Sequence, residues 1–351
     1  MTRWAEDPDG AADALILRSL PDIAVAGRVL LAGTSRSLPA ALDRLGAAWT
    51  AWSRRLGDGT AGGDAAAATA AWPPAGPFDL ALVRLPKARE EAAMTVHAAL
   101  SVLAAGGRHI LYGGNDEGIR PAAALLEQLT GAVATLAARG HGRVLAARRP
   151  EDRTALGASL AAWRTVSDVE IAGVPRAWAS YPGCFAAGRL DEGTALLLAH
   201  LPAVAPGERV LDYGCGTGPI AAAVLARQPA ARVDGLDSDS VALSAASENV
   251  PAARLVLGTR LADAGRGDYA AILSNPPLHQ GIAEDHRLLE RLVADAPRHL
   301  APGGHLRLVV QRRLGLERLL AQRFARVDML AQTSRFRVWT AATPLQPARS
   351  P

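Results

Sequence analysis

Residues Val210–Pro219 read VLDYGCGTGP. An apolar run ends in three alternating glycines, Gly214, Gly216 and Gly218, and Asp212 sits two residues ahead of the first. A buried strand that breaks into a glycine turn and then opens an alanine-rich helix, here Ile220–Arg227, forms the first βα step of a nucleotide-binding sheet. Which nucleotide it takes decides the chemistry. A dinucleotide demands G-x-G-x-x-G, its third glycine letting the helix pack close while its N-terminus faces pyrophosphate. Pro219 occupies that third position, and Asp212 would set a negative charge near the phosphates. A triphosphate loop needs Gly-Lys-Ser/Thr after the turn, and none follows.

A ligand without phosphate and with a positive centre suits the turn better. S-adenosylmethionine has a sulfonium and an ammonium, which carboxylates favour, and a carboxylate that backbone N–H groups at a helix start can meet. Gly214, Cys215, Gly216 and Gly218 are therefore candidate cofactor contacts beside Asp212. The next strand, Arg232–Leu236, ends at Asp237 and Ser238. Asp237 lies about two dozen residues past the turn, where an acid takes ribose hydroxyls. The alternative for Asp237 is a helix cap, since Ser240–Asn249 reads as a helix with Ser238 or Asp239 also available to cap it.

A second motif follows the strand Tyr269–Leu273: Ser274-Asn275-Pro276-Pro277. Two prolines remove two N–H donors and fix two φ angles, so the backbone is stiff and its carbonyls point outward. A rigid carbonyl beside the Asn275 side-chain oxygen can accept both hydrogens of a planar –NH2 group. That holds the nitrogen in line with the methyl–sulfur bond and frees its lone pair without a strong base. A plain Pro-Pro turn is the competing reading in a chain with 23 prolines.

The chain also repeats its layout. RVLLAG (Arg28–Gly33) parallels RVLDYG (Arg209–Gly214), FDLALVRLPK (Phe78–Lys87) parallels DYAAILSNPP (Asp268–Pro277), and LAAGGRHILYG (Leu103–Gly113) parallels LAPGGHLRLVV (Leu300–Val310). Three matches in the same order indicate two α/β domains, each a mostly parallel sheet covered on both faces. The fold class expected is two tandem Rossmann-like domains with a degenerate N-terminal copy. The domains are placed at 1–150 and 181–344, with a linker over 151–180 and a frayed tail over 345–351. In the linker, Trp163 and Trp178 call for packing. Gly57–Pro77 reads as a long surface loop or disordered insertion, and Leu288–Leu300 as a helix bent or ended by Pro297.

Composition agrees with a soluble protein of normal globular balance. The 351 residues allow two domains, and no apolar run reaches the roughly 18 residues of a membrane span. Cys184 and Cys215 have no disulfide or zinc spacing, so no metal is expected and a cytoplasmic location is. The net charge of +4 lends weak support to an anionic partner such as RNA. Nearly all of the positive charge is arginine, Lys87 being the only lysine.

Asp212–Gly218, Asp237 and Ser274–Pro277 together resemble the class I S-adenosylmethionine-dependent methyltransferases that modify exocyclic or amide nitrogens. More narrowly, PGCFAAGRLDEGTALLL (Pro182–Leu198), VLDYGCGTG, SNPPLHQG (Ser274–Gly281), HLAPGGHLRLV (His299–Val309) and QTSRFRVWTA (Gln332–Ala341) resemble the ribosomal RNA small-subunit methyltransferase C family and its large-subunit relatives. The resemblance implies methylation of a guanine N2 in ribosomal RNA, 16S first, on naked RNA or the small subunit. It implies that Asp191 and Thr194 lie near the amino-acid end of S-adenosylmethionine, and Gly258 and Thr259 near its adenine, where no acid is seen to read the adenine amino group. It also implies a silent first copy that gives support and RNA contact, since Leu31 replaces Asp212, GTSRS (Gly33–Ser37) lacks alternating glycines, and Leu85-Pro86-Lys87 replaces Asn-Pro-Pro.

One departure concerns the target base. The family usually has Phe or Tyr after Asn-Pro-Pro, and here Leu278 follows, with Phe185 or His279 as the rings that could stack instead. Leu278, His279 and Arg312 are the candidate substrate contacts. His279 reads equally as a loop histidine, and Arg312, leaving a strand with Gln311 and Arg313, as a solvated charge. The competing functions are glutamine-N5 or adenine-N6 methylation at the same Asn-Pro-Pro site, and a non-catalytic cofactor-binding assembly factor.

Overall fold

The computed structural model describes residues 8–33, 37–57, 69–152, 154–265, 267–276 and 282–345. Its chain forms two compact units, 1–164 and 165–351.

In unit 1 the order is α1 (Pro8–Ile23), β1 (Arg28–Ala32), α2 (Leu38–Arg44), β2 (Ala48–Trp52), β3 (Phe78–Arg84), α3 (Arg89–Val102), β4 (Leu103–Gly114), α4 (Ile119–Thr130), β5 (Ala134–Arg139) and β6 (Gly142–Arg148). The sheet runs β2-β1-β3-β4-β6-β5, with β2, β1, β3, β4 and β5 running the same way and β6 alone reversed between β4 and β5. Strand periodicity sets the layers. Val29 and Leu31 pack with Leu15, Ile16 and Ile23 of α1, while Leu30 and Ala32 pack with Val96 of α3 and Leu126 of α4. Both faces of β1 are thus covered by helix.

Unit 2 begins with a hairpin, β7 (Thr165–Ile171) and β8 (Val174–Ser180), followed by α5 (Glu192–Ala199). Then come β9 (Arg209–Tyr213), α6 (Pro219–Arg227), β10 (Arg232–Asp237), α7 (Ser240–Asn249), β11 (Arg254–Leu257) and β12 (Tyr269–Ser274). α8 (Ile282–Asp295), β13 (Leu300–Gln311), α9 (Leu316–Ala321), β14 (Phe324–Gln332) and β15 (Phe336–Pro344) complete it. In the order β11-β10-β9-β12-β13-β15-β14 six strands run the same way and β15 alone is reversed, pairing antiparallel with β13 and β14. The strand order reverses beside β9, so the crevice that binds ligands in such sheets opens where β9 and β12 end. Asp234 ties four strands at mid-sheet, accepting from Arg209 (2.6 Å), Arg254 (2.9 Å) and the Tyr269 hydroxyl (2.7 Å).

The stretch 151–180 divides between the units. In unit 1, Leu156 is buried, the Gly157 N–H donates to His97, and Trp163 meets the His97 ring edge-on; in unit 2 the remainder is the β7–β8 hairpin. α8 begins at Ile282, ahead of the expected Leu288, because the polar run Glu284–Arg287 interrupts the apolar spacing, and a 3-10 turn through Pro297 ends it. Of the low-complexity segment, 58–68 lies outside the described residues, as does the tail beyond 345; Thr69 bridges Ser53, and Ala70 carbonyl accepts from the Trp52 indole.

Candidate active site

The glycine turn takes its shape from φ. Gly214, Gly216 and Gly218 have φ of +71°, +53° and +93°, a region that costs residues with a Cβ. At Gly218 a Cβ would also lie 2.9 Å from Val250 Cγ2, so the glycine lets α6 sit against α7. The Gly214 and Cys215 N–H groups donate to the Leu236 carbonyl, which fixes the turn over β10. Burial, then the nearby Asp237 and Asp212 carboxylates, push the Cys215 thiol up. A thiol so raised is neutral packing and no nucleophile.

Asp212 is fully buried under this turn. Its Oδ2 accepts the Ala221 N–H of α6 at 3.1 Å, and its Oδ1 has no hydrogen-bond partner among the described residues. Burial pushes its carboxyl up to about 8, with the Ala221 N–H opposing and Asp237 adding to the rise. The charge of Asp212 therefore acts through the turn by its field and is not presented at an open face. Asp237, half-buried at the end of β10, accepts the Gly216 N–H at 2.7 Å and the Asp239 N–H at 2.9 Å. A carboxylate with one N–H on each oxygen is held in a fixed orientation at the strand end, where vicinal hydroxyls are met in sheets of this kind. The N-cap of α7 is Asp239, which accepts from Val241 and Ala242; half-buried Ser238 lies between it and Asp237.

Beyond β11, the expectation that no acid stands near Gly258 and Thr259 is corrected. Asp263 accepts the Thr259 and Arg260 N–H groups, both at 2.9 Å, and a Cβ on Gly258 would lie 2.6 Å from the Asp263 Cβ. The sequence signal was present, an acid at the third position of a short helical turn, which is where a reciprocal cap sits. The Tyr213 hydroxyl donates to the Thr259 carbonyl at 2.8 Å, joining this loop to β9.

Asn275 follows β12 beside the end of β9, where Ser274 donates to the Tyr213 carbonyl at 2.6 Å. Both amide hydrogens of Asn275 are committed: Nδ2 donates to Asp191 Oδ2 at 3.0 Å and to Thr194 Oγ1 at 2.9 Å. A flipped amide would set Oδ1 against the Asp191 carboxylate, so the orientation is dictated and Oδ1 is left as an outward acceptor. Asp191 is at once the N-cap of α5, accepting the Thr194 N–H at 3.1 Å. One helix start thus braces the Asn275 amide. Pro276 is buried; Pro277, Leu278 and His279 lie outside the described residues.

Sequence reasoning did not find the bracing of the turn from behind. The Trp178 indole donates to Thr217 Oγ1 at 3.0 Å, and Asn249 bridges the Ala179 backbone and the Thr217 carbonyl. These residues stand far apart in the chain, and no local pattern joins them. Phe185 is half-exposed on a turn whose next two residues, Ala186 and Ala187, have φ of +61° and +46°.

A glycine turn over a buried acid, a second acid at the next strand and a braced amide after the fourth define a class I S-adenosylmethionine-dependent methyltransferase. Residues 177–340 match the methyltransferase small domain, and residues 14–154 match its N-terminal companion domain. The chain is 35% identical to ribosomal RNA small subunit methyltransferase C of Ectopseudomonas mendocina, over 76% of this chain and 80% of that protein. With the same enzyme of Stutzerimonas stutzeri it shares 35% identity over 90% and 94%. The chain belongs to the ribosomal RNA small subunit methyltransferase C family. Its fold matches that of the T. thermophilus 16S rRNA N2 G1207 methyltransferase in complex with AdoMet and guanosine, with a TM-score of 0.79, 22% identity, and coverage of 97% and 93%.

Proposed function

We propose that the protein transfers a methyl group from S-adenosylmethionine to the exocyclic N2 of a guanine in 16S ribosomal RNA, on the small subunit or its precursor. The observation that carries the reading is the fixed Asn275 amide. Its Oδ1 is an acceptor that cannot turn away, because Asp191 and Thr194 hold the other end. When bound, the cofactor supplies an activated methyl group. Asn275 Oδ1 and a neighbouring outward carbonyl accept the two hydrogens of the amino group, which aligns the nitrogen and supports the charge it gains as the C–N bond forms. As the C–N bond forms the methyl–sulfur bond breaks, and the extra proton on nitrogen passes to bulk water, because Asn275 Oδ1 and the carbonyl are too weakly basic to keep it.

The residues present fit S-adenosylmethionine. Asp237 stands at the strand end where ribose hydroxyls are met, the first turn of α6 leaves the Ile220 N–H for a carboxylate because Pro219 has none and Ala221 is taken by Asp212, and the orphaned Asp212 Oδ1 supplies negative potential beneath a cationic ligand once ionised. Asp191, Thr194, Gly214, Gly216, Gly258, Thr259 and Asp263 complete the proposed cradle. The six-stranded sheet of unit 1 speaks against the glutamine-modifying enzymes, which have a small helical N-terminal domain. Unit 1 is assigned to support and RNA contact. Among the described residues no helix is long and apolar enough to cross a membrane, and ribosomal RNA as substrate implies the cytoplasm.

The test supplies labelled cofactor and unmethylated small subunits, then maps the label. Label on one guanine N2 is expected; label on protein alone, or on an adenine, would discard the guanine reading.

A further inference from the structure

Where β13 ends and β15 begins, Gln311, Arg312, Arg313, Ser334, Arg335 and Phe336 line an open groove of about 560 Å³. Three guanidinium groups face it. Arg335 donates to Glu192 at 2.8 Å and lies 5.4 Å from the Phe336 ring centroid, while Arg312 and Arg313 are exposed and make no ion pair among the described residues. The Arg312 N–H donates to the Arg335 carbonyl at 2.7 Å, so the two walls are joined at the base. Like charges set side by side repel and do nothing for folding; a polyanion relieves them.

The groove adjoins the braced amide. The Phe336 ring lies 3.1 Å from where a Cβ on Gly193 would stand, and Gly193 lies between Asp191 and Thr194, next to the latter; those two residues hold Asn275. It therefore opens on the same carboxyl edge of the sheet as the reacting centre, one side-chain layer away.

We propose that this groove holds the phosphodiester backbone of the RNA strand next to the target nucleotide, with Arg312 and Arg313 on phosphate oxygens and Arg335 set by Glu192 at the near wall. The inference rests on the RNA reading above and adds to it a location for the strand. Arginine suits the task because its planar fork meets phosphate oxygens two at a time. A base taken out of its stack to reach Asn275 swings its own flanking phosphates toward the edge where the groove lies. Backbone contacts of this kind set register and affinity and do not read sequence.

The test measures binding of the full chain to an unmodified 16S rRNA transcript between about 50 and 200 mM salt. Replacing both residues (Arg312→Glu and Arg313→Glu) is expected to weaken binding about tenfold or more, and to make the log–log salt dependence shallower by about one to two. Arg312→Lys with Arg313→Lys should keep most of that slope, since the charge remains. Cofactor affinity, measured by calorimetry on the same variants, should match the wild type and shows that unit 2 is folded. Transcript affinity and slope unchanged in the Glu pair would overturn the groove, as would a wild-type chain that does not bind the transcript. Binding that depends on the two arginines, with no methyl group reaching RNA, leaves the groove standing and removes the guanine reading. Methyl transfer with an unchanged salt slope does the reverse.

Discussion

In unit 1 the strand that leads to the turn reads RVLLAG, and in unit 2 RVLDYG. Both strands sit in the same place, β1 in β2-β1-β3-β4-β6-β5 and β9 in β10-β9-β12-β13-β15-β14, with an added β11 only in unit 2 among the described residues. Leu31 stands where Asp212 does and is packed into the α1 face of the core. Leu85, where Asn275 would be, is buried against Gly113, and Arg84, in the place of Ser274, pairs bidentately with Glu117, both bonds at 2.7 Å. Glu117 also accepts the Gly114 N–H. At the edge where unit 2 offers acceptors, unit 1 has satisfied its own polar groups internally. The sheet needs apolar alternation and does not need the chemistry. Carboxylate and amide can therefore be exchanged for core and ion pair without altering the strand order.

The largest effect is expected from breaking that substitute. Arg84 and Glu117 side chains are 9% and 7% exposed. Glu117→Ala would strand a buried guanidinium, and losing one member of a buried pair costs about 3–5 kcal/mol. Urea unfolding should show a loss of that order. A loss below about 1 kcal/mol would mean that the pair does not hold the edge of unit 1 together.

Writing unit 1 into unit 2 comes next. Asn275→Leu copies Leu85 and removes the oriented acceptor. Single-turnover methyl transfer should slow about 10²–10³-fold, the range for loss of one fixed polar group at a reacting centre. Cofactor affinity should stay within about threefold. A rate loss under tenfold would show that the amide does not carry the chemistry.

Asp212 separates the units by pH. With its carboxyl at about 8 in the folded chain against an ordinary 3.8, the folded state keeps a proton that the unfolded state has released between those values. Its contribution to stability falls as pH rises through that window and is flat above it. Cofactor binding has the opposite sign, because a cationic ligand favours the ionised carboxylate: affinity should rise toward pH 8 and then level. Asp212→Asn should bind about tenfold more weakly than the wild type at pH 9 and nearly equally at pH 6. The ligand's ammonium titrates in the same range, so the difference between the two proteins, followed by calorimetry across pH, is what reports Asp212. A constant difference would place its charge out of range of the ligand.

What was legible in the sequence follows the reach of each interaction. Gly214–Gly218, Asp237 and Asn275 are local signals, because a turn or a strand end dictates residue type within a few positions. The repeat of the two units was legible for the same reason, strand by strand. Asp263 was overlooked although its spacing from Arg260 announces a cap. Arg84 with Glu117, Trp178 with Thr217, and Asn249 with Ala179 join residues that only the fold brings together. The division at 164 and 165 was hidden likewise, since the linker's two tryptophans pack in different units. Charge gave least: an overall +4 says little, while Arg312, Arg313 and Arg335 gathered in one groove say more.

The smallest effect tests the bracing itself. Thr194 Oγ1 accepts one of the two Asn275 amide hydrogens, and its side chain is buried, so Thr194→Val keeps the shape and removes only the acceptor. The backbone N–H of residue 194 still reaches Asp191, so the start of α5 persists. The amide then hangs from Asp191 alone and can rotate away from its working orientation. A net loss of about 0.5–1.5 kcal/mol is the range for one such hydrogen bond, which is about a two- to tenfold fall in the rate of methyl transfer. Thr194→Ser should recover most of it by returning the oxygen. A full rate in Thr194→Val would mean that Asp191 suffices, and that the contrast between Leu85 and Asn275 rests on one carboxylate.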